Sequence, residues 1–468
     1  MPEPNRASRQ RYDVVVLGGG NAALCAALEA RRAGRSVLIL EAAPTVFRGG
    51  NSRHTRNVRY LHRGANYHLV GDYLEDEFYQ DLLDVTGGNT DEHLARLTIR
   101  SSEGVGDWMV SNGISWQGAL RGTLQLSRTN AFFLGGGRAL LNTYYETARK
   151  LGVEVEFDAE VTGLEVRPGH LHQVTVGADA AARTFEAKVV VAAAGGFEAN
   201  LDWLGEYWGE AAQNFLIRGT PYNKGGVLKL LLNAGAKAIG DPREYHAVAC
   251  DARGPQFDGG IVTRLDSVPF GIVVNRDAQR FSDEGVDMWP KRYASWGGLL
   301  ALQPGQIAYS ILDAKLASEY IPSLYPAIRA DNIEDLARQL RLPPVELRAT
   351  IERFNAAVVP GTYDPTRLDD CHTEGLDVAK SHWAQTIDRP PYMAYPLRPG
   401  ITFTYHGVGV AEDGQVIGDD GHPLGNVYAA GEIMAGNILG RGYMAGFGMT
   451  IGTIWGRIAG RGAAERAE

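Results

Sequence analysis

Apolar residues run without a break through YDVVVL at 12–17, the pattern of a strand buried on both faces. GGGNAA follows, then ALCAALEARRAG with apolar positions at helical spacing, then SVLILE, a second buried strand. Together they predict one βαβ unit, with Gly34 closing the helix. Helical periodicity dominates 66–116, with polar turns at 86–89 and 111–113. RALLNTYYETARKL at 138–151 predicts an amphipathic helix, VEVEF and EVTGLEV predict strands, and a hairpin-like stretch surrounds His170 and His172. AKVVVAAAGG at 187–196 is another buried strand, and 223–236 predicts a helix. From about 241 to 385 the texture changes to prolines, turns and mixed strands. Buried-strand texture returns in GNVYAAGE at 425–432, followed by a glycine-rich loop and a last buried helix from Phe447 to Ile458. The expected fold is α/β: a Rossmann-like nucleotide domain from 12–243 and 386–468, an inserted α+β capping domain at 244–385, and a flexible N-terminus at 1–11.

Length and composition narrow the class. A chain of 468 residues with 44% hydrophobic content fits about two folded domains. The net charge of −9, without a basic stripe, argues against a nucleic-acid partner, although a local basic pocket can still take an anion. Cys25, Cys250 and Cys371 stand far apart, which argues against a disulfide framework or a cysteine metal site and suits a reducing, cytoplasmic compartment. The polar first ten residues lack the apolar core of a secretory signal, and no charge-free run of about 20 apolar residues predicts a membrane span. His170 and His172 alternate without a third ligand, so the expectation is an exposed strand face and no metal site.

Gly18-Gly19-Gly20-Asn21-Ala22-Ala23 fits the dinucleotide fingerprint GxGxxG/A. Gly18 permits the tight turn, Gly20 lets the backbone approach a pyrophosphate, and Ala23 lets helix and strand pack closely. Asn21 and Ala22 open the helix, where unpaired N–H groups and the helix dipole favour an anion. Glu41, at the end of the next strand and followed by Ala42, stands where a ribose-binding carboxylate belongs. Three later segments favour FAD over NAD. Gly49-Gly50-Asn51-Ser52 is a loop able to line pyrophosphate and ring. The strand at 189–196 ends in Ala194-Gly195-Gly196. Ala429-Ala430-Gly431-Glu432 ends a strand far along the chain, with Glu432 placed for the ribityl chain. Val161 and Gly446 complete the expected cofactor contacts.

VVVLGGGNAAL, LEAAPTVFRGGNSRHTRN, TNAFFLGGGRALLN, VVVAAAGGFEAN, NKGGVLKLLLNAGA, VVNRDAQRFSDEG and GEIMAGNILGRGYMAGFGMTIG resemble the fumarate reductase and succinate dehydrogenase flavoprotein group over nearly the whole chain. Within it, GGNSRHTRN, RTNAFFLGGG and the last segment look most like the tricarballylate dehydrogenase branch; a cobalamin-pathway flavoprotein shares much of the pattern. The resemblance implies an FAD domain and a mobile cap with the active site between them. It also implies hydride transfer between flavin N5 and a carbon of a di- or tricarboxylate, as from tricarballylate to cis-aconitate. Electrons would pass to a separate acceptor, which can be membrane-bound and would hold the protein at the inner face of the membrane. No Fe–S or haem motif is present to carry them onward.

An anionic substrate calls for arginine, whose planar fork binds carboxylate and stays charged. By the resemblance, Arg441 clamps a carboxylate beside the flavin, His246 holds substrate at the domain junction, Tyr405 or the adjacent His406 binds a second carboxylate, and Arg292 handles the proton. The carboxylate–arginine relay of fumarate reductases has Ser267 and Phe270 in its place, with Arg264 or Asp266 as substitutes. Ser52 takes the register at which some relatives attach FAD covalently, so non-covalent FAD is expected. His54 and Arg53 face flavin or substrate, while Arg56 and Arg59 are read as solvated or structural. Two other readings stay open: a flavoprotein reductase or oxidase of another substrate, and a non-catalytic flavin subunit that only relays electrons.

Overall fold

The computed structural model describes residues 10–120 and 126–468. The expected flexible segment 1–11 therefore lies mostly outside the described residues. From the N-terminus, β1 (Gln10–Leu17), α1 (Asn21–Arg32), β2 (Val37–Leu40), α2 (Gly136–Leu151), β3 (Glu154–Glu156), β4 (Val161–Glu165), β5 (His172–Val176) and β6 (Arg183–Ala192) build most of one layer. β7 (Leu216–Ile217), β8 (Tyr245–Asp251), β9 (Ile272–Asn275), β10 (Ala308–Leu312), β11 (Ile328–Ala330), α3 (Ile333–Leu340), α4 (Pro344–Ala357) and β12 (Tyr392–Thr404) build another. β13 (Gln415–Ile417), β14 (Pro423–Ala429) and α5 (Phe447–Arg466) return to the first.

The first sheet has the order β13-β14-β6-β1-β2-β3, with β5 on β6 and β4 on β5. β14, β6, β1, β2 and β3 pair in parallel. Every residue of β2 and the last four of β1 are buried, as their unbroken apolar runs require. Chain order runs outward from β1 on both sides, so its C-terminal end is a topological switch point, where open α/β sheets bind ligands.

The chain ends meet through α1 and α5. An added Cβ on Gly456 would stand 2.4 Å from the Ala22 carbonyl oxygen, and one on Gly460 would stand 2.4 Å from that of Ala26. Only a glycine stripe lets the two helices lie this close.

The second sheet runs β8-β12-β10-β9, with β7 and β11 also on β12. It takes in Leu216–Ile217 and Tyr392–Thr404, which lie on either side of the expected insertion at 244–385. The reason is β12: thirteen residues long, it pairs with the cap strands and also ends at Thr402–Thr404 beside the first layer. α3 and α4 cover one face of this sheet, around Leu336, Leu347, Ile351 and Phe354.

The expected exposed face at His170 and His172 is half corrected. His170 is exposed, but His172 is buried under the hairpin, where its Nδ1 accepts the Arg167 N–H at 3.0 Å and burial lowers its pKa to about 4. Among the described residues no cluster of three metal-binding side chains occurs. Among them, too, no helix is long and apolar enough to cross a membrane.

Candidate functional site

A single long cleft opens at the switch point. Its empty volume is about 1930 Å³ including the open mouth. The cleft has two chemically different ends.

At one end the lining is mostly backbone and small side chains. Gly18 turns with φ +103°, and a Cβ there would fall 2.5 Å from the Ala193 carbonyl oxygen. The first residues of α1 line the cleft, and a helix start leaves N–H groups without intrahelical partners. The Asn21 N–H donates to Ser52 Oγ at 3.1 Å, tying this turn to the next loop. The Asn21 side chain donates to Thr453 Oγ1 on α5 at 3.0 Å. Gly19, not singled out from the sequence, packs against Glu41 and Tyr145, and the Tyr145 hydroxyl donates to its carbonyl at 2.7 Å. Glu41 is buried and accepts the Ala43 N–H at 2.8 Å. Burial raises its pKa, against the backbone N–H groups around it. Gly18, Gly20, Asn21, Ala22, Glu41, Ala42, Gly49, Gly50, Asn51, Ser52, Val161, Ala194, Gly195, Glu432 and Gly446 all line this one cleft. A buried carboxylate at the tip of β2, a glycine turn without side chains and a helix start fit the adenosine and diphosphate of a dinucleotide.

Between the ends lies a carboxylate pair that sequence reasoning half missed. Glu198 is fully buried; its Oε1 accepts from Asn51 at 2.5 Å and Asn223 at 2.8 Å, while Oε2 has no partner. Glu432 lines the cleft and accepts the Thr404 N–H at 2.8 Å. The two carboxyls face each other across Gly196, where an added Cβ would meet an oxygen of each. Burial, and then the neighbouring Glu198, pushes the Glu432 pKa well up; burial raises that of Glu198 also. Two buried carboxyls that face each other favour sharing one proton over ionising together.

The other end is cationic and aromatic. Arg56, Arg218 and Arg264 line it with His246, Tyr293 and Tyr443. Arg218 follows β7; its Nη2 donates to Thr402 Oγ1 at 2.9 Å, and its buried Nε has no partner. Arg264 pairs with Asp266 at 3.0 Å and lies 4.7 Å over the Tyr293 ring, and its Nε is also unpartnered. The Trp289 indole N–H holds the other Asp266 oxygen at 2.6 Å. Burial works to lower the Arg264 pKa, but Asp266 and Tyr293 together outweigh it and the net shift is upward. Burial, with Arg264 nearby, lowers that of Arg218. Among the described residues no carboxylate pairs with Arg56 or Arg218. His246 stacks flat on Tyr443 at 3.8 Å with a buried, unpartnered Nδ1, and burial followed by Arg218 and Arg264 holds it neutral. Unpaired buried cations and donors around a cavity call for an anion.

Of Arg292, Arg441, His246, Tyr405 and His406, His246 alone lines this cleft; Arg264, expected as a substitute in the relay, and His54, expected to face flavin or substrate, line it too. Arg441 is exposed on its loop. Tyr405 is fully buried with its hydroxyl donating to the Gly442 carbonyl, and His406 lies 3.3 Å from the Gly240 carbonyl oxygen. Arg292 is 46% exposed, with Asp287 at 3.9 Å. Arg56 is corrected from a solvated or structural residue to a lining one; Arg59 is structural, bonded to the Tyr73 hydroxyl at 2.7 Å and the Ala445 carbonyl at 3.1 Å. Arg218, Tyr443, Tyr293 and Glu198 were not singled out. The one available signal was a lone arginine directly after an apolar pair, in LIRGT.

The profile of a family described as FAD binding domain matches residues 13–448. The NADH:fumarate oxidoreductase of Klebsiella pneumoniae (strain 342) is 27% identical over 99% of this chain and 48% of its own. The NADH:acrylate oxidoreductase of Vibrio harveyi is 25% identical over 98% of this chain and 51% of its own. This chain thus spans about half the length of these relatives. A solved open conformation of a flavocytochrome c3 fumarate reductase superposes with a TM-score of 0.77 at 23% identity, covering 98% of this chain and 79% of that one. At that identity it shows a common fold.

Proposed function

The chain belongs to the FAD binding domain family, as a flavoprotein of the fumarate reductase and succinate dehydrogenase group, and from that premise we propose that it is an FAD-dependent oxidoreductase interconverting CH–CH and C=C bonds in a small polycarboxylate. The observation that carries this is the pair Arg56 and Arg218: cations in the cleft, without a carboxylate partner among the described residues, beside the paired Arg264. Two carboxylates of a substrate would supply the missing anions, one at Arg56 and one shared by Arg218 and Arg264, and a third would meet His246 or Tyr443. A tricarboxylate such as tricarballylate, oxidised to cis-aconitate, matches this count best. Fumarate- or acrylate-like acids run in the reducing direction are the second reading, supported by the names of the relatives.

Non-covalent FAD would be held by the Gly18 turn, the α1 start, Glu41, the Gly49–Ser52 loop and Glu432. Bound FAD supplies hydride transfer at N5 of its ring. The protein's part is to orient the acid and to stabilise charge. Arg218 and Arg264, fixed by Thr402 and Asp266, would bind the carboxylate next to the carbon that loses its proton, and so stabilise the charge developing there. The aromatic walls Tyr443, Tyr293 and Trp289 exclude water and strengthen those contacts. A separate electron acceptor completes turnover.

Anaerobic mixing of the purified yellow protein with a panel of mono-, di- and tricarboxylates tests the reading. Bleaching by a saturated polycarboxylate is the expected result. A flavin that no acid in the panel bleaches, and that no unsaturated acid re-oxidises after chemical reduction, would leave the electron-relay reading in its place.

A further inference from the structure

The cleft holds one acid–base dyad that neither the cofactor nor the carboxylate contacts explain. His54 ends the short helix Gly50–His54 and its ring lines the cleft. Its Nε2 lies 2.5 Å from Asp258 Oδ1. Among the described residues Nδ1 has no hydrogen-bond partner. Gly260 keeps that nitrogen open, since a Cβ there would stand 3.1 Å from it.

Asp258 is tied to the arginine end by backbone. Its N–H donates to the Gly219 carbonyl at 2.7 Å, and the Gly260 N–H donates to the Arg218 carbonyl at 2.8 Å. Asp258 itself adopts φ +59°, a left-handed conformation that non-glycine residues seldom take. One loop therefore fixes the dyad and Arg218 relative to each other.

We propose that His54, oriented by Asp258, takes the proton from the substrate carbon next to the bound carboxylate and returns it in the reverse direction. This rests on the oxidoreductase reading above. Asp258 accepts the Nε2 proton and so leaves a lone pair on Nδ1, the same logic by which a carboxylate sets the tautomer of a catalytic imidazole. In oxidation one C–H bond breaks with its proton going to Nδ1, and its electron pair becomes the second bond of C=C. The neighbouring carbon gives hydride to FAD, so two electrons leave the substrate and two reach the oxidant. An arginine in this role would have to give up a proton that it holds far above neutral pH.

The charged groups facing His54 are Asp258, Arg53 and Arg218, with Arg56 in the same cleft. Burial lowers the imidazole pKa most; Asp258 raises it, and Arg53 and Arg218 lower it, leaving it below the ordinary 6.5. The imidazole is thus a neutral base at pH 7. Asp258 acts as a positioning residue.

The test uses the holoenzyme with an acid that bleaches wild type. His54→Gln should retain flavin and carboxylate binding but bleach about 10²–10⁴-fold more slowly. In 15N-histidine NMR, the resonance lost in His54→Gln should titrate below 6.5 in wild type and lower still in Asp258→Asn. The acidic limb of the bleaching rate should move with it. A His54→Gln rate within about threefold of wild type overturns the proposal. So does an Asp258→Asn protein in which every histidine resonance of wild type titrates unchanged, a result readable even where His54→Gln does not fold. Wild type unbleached by every acid overturns the oxidoreductase reading first, and the proton role with it.

Discussion

The two ends of the cleft are built by different means. The nucleotide end is made from backbone: a left-handed glycine, a helix start and a carboxylate on consecutive elements within about thirty residues. The substrate end is made from side chains: Arg56, Arg218, His246, Arg264, Tyr293 and Tyr443 come from segments scattered over most of the chain. A backbone site tolerates almost no added atom but is indifferent to most neighbouring side chains. A side-chain site is the reverse.

Changes that add atoms at the first end should therefore be the most severe. Gly18→Val forces a β-branched residue into φ +103° with its Cβ against the Ala193 carbonyl. The expected product is colourless and poorly folded, as read by flavin absorbance and thermal unfolding. A yellow, stable Gly18→Val protein would break the distinction between the ends.

Removing charge at the second end should spare the flavin. Asp266→Asn leaves Arg264 and the Trp289 N–H in place but loosens the guanidinium, and the rate of flavin reduction should fall about 10²-fold with flavin content unchanged. Loss of flavin in this variant would mean that the ends are one unit.

Glu198 and Glu432 sit where the ends join, and their effect is one of stability. An unfolded glutamate ionises above about pH 4.5, while the folded pair keeps a proton because its pKa is raised. The folded state then binds more protons, so stability declines as pH rises from the unfolded value through the raised folded one. Glu198→Gln cannot ionise and can donate from the position of the unpartnered Oε2. Its melting temperature should exceed that of wild type by about 1–3 °C more at pH 8 than at pH 5. Parallel pH curves for the two proteins would rule out the shared proton. The smallest effect is expected at Arg441, exposed and outside the cleft: Arg441→Ala should reduce flavin within about threefold of wild type, measured by stopped-flow absorbance.

The same difference decides what could be read from the sequence. GGGNAA, the buried run before it and Glu41 after it are neighbours in sequence and in space, so local pattern located them. The closing helix was legible too, because its glycines and apolar residues say that it packs on something close. His246, which lines the cleft, was reached through the family resemblance and not through a local pattern. Arg218 carries no motif; it reaches the cleft only because β7 pairs with the far end of β12, nearly two hundred residues on. Arg56 looked like one of several arginines in RHTRNVR, and only the fold turns it inward while Arg59 is consumed by Tyr73 and Ala445. At Arg441 the local pattern says less: a glycine-rich loop marks close packing, but Arg441 is exposed on it, while Tyr443, Ala445 and Gly446 line the cleft.

The most direct measurement compares flavin bleaching by tricarballylate in wild type and Arg218→Met, under anaerobic conditions and at matched flavin occupancy. The account predicts a yellow Arg218→Met protein whose bleaching rate is at least about 10³-fold lower and whose saturation by the acid is lost. A variant that bleaches at the wild-type rate with the wild-type concentration dependence would contradict it.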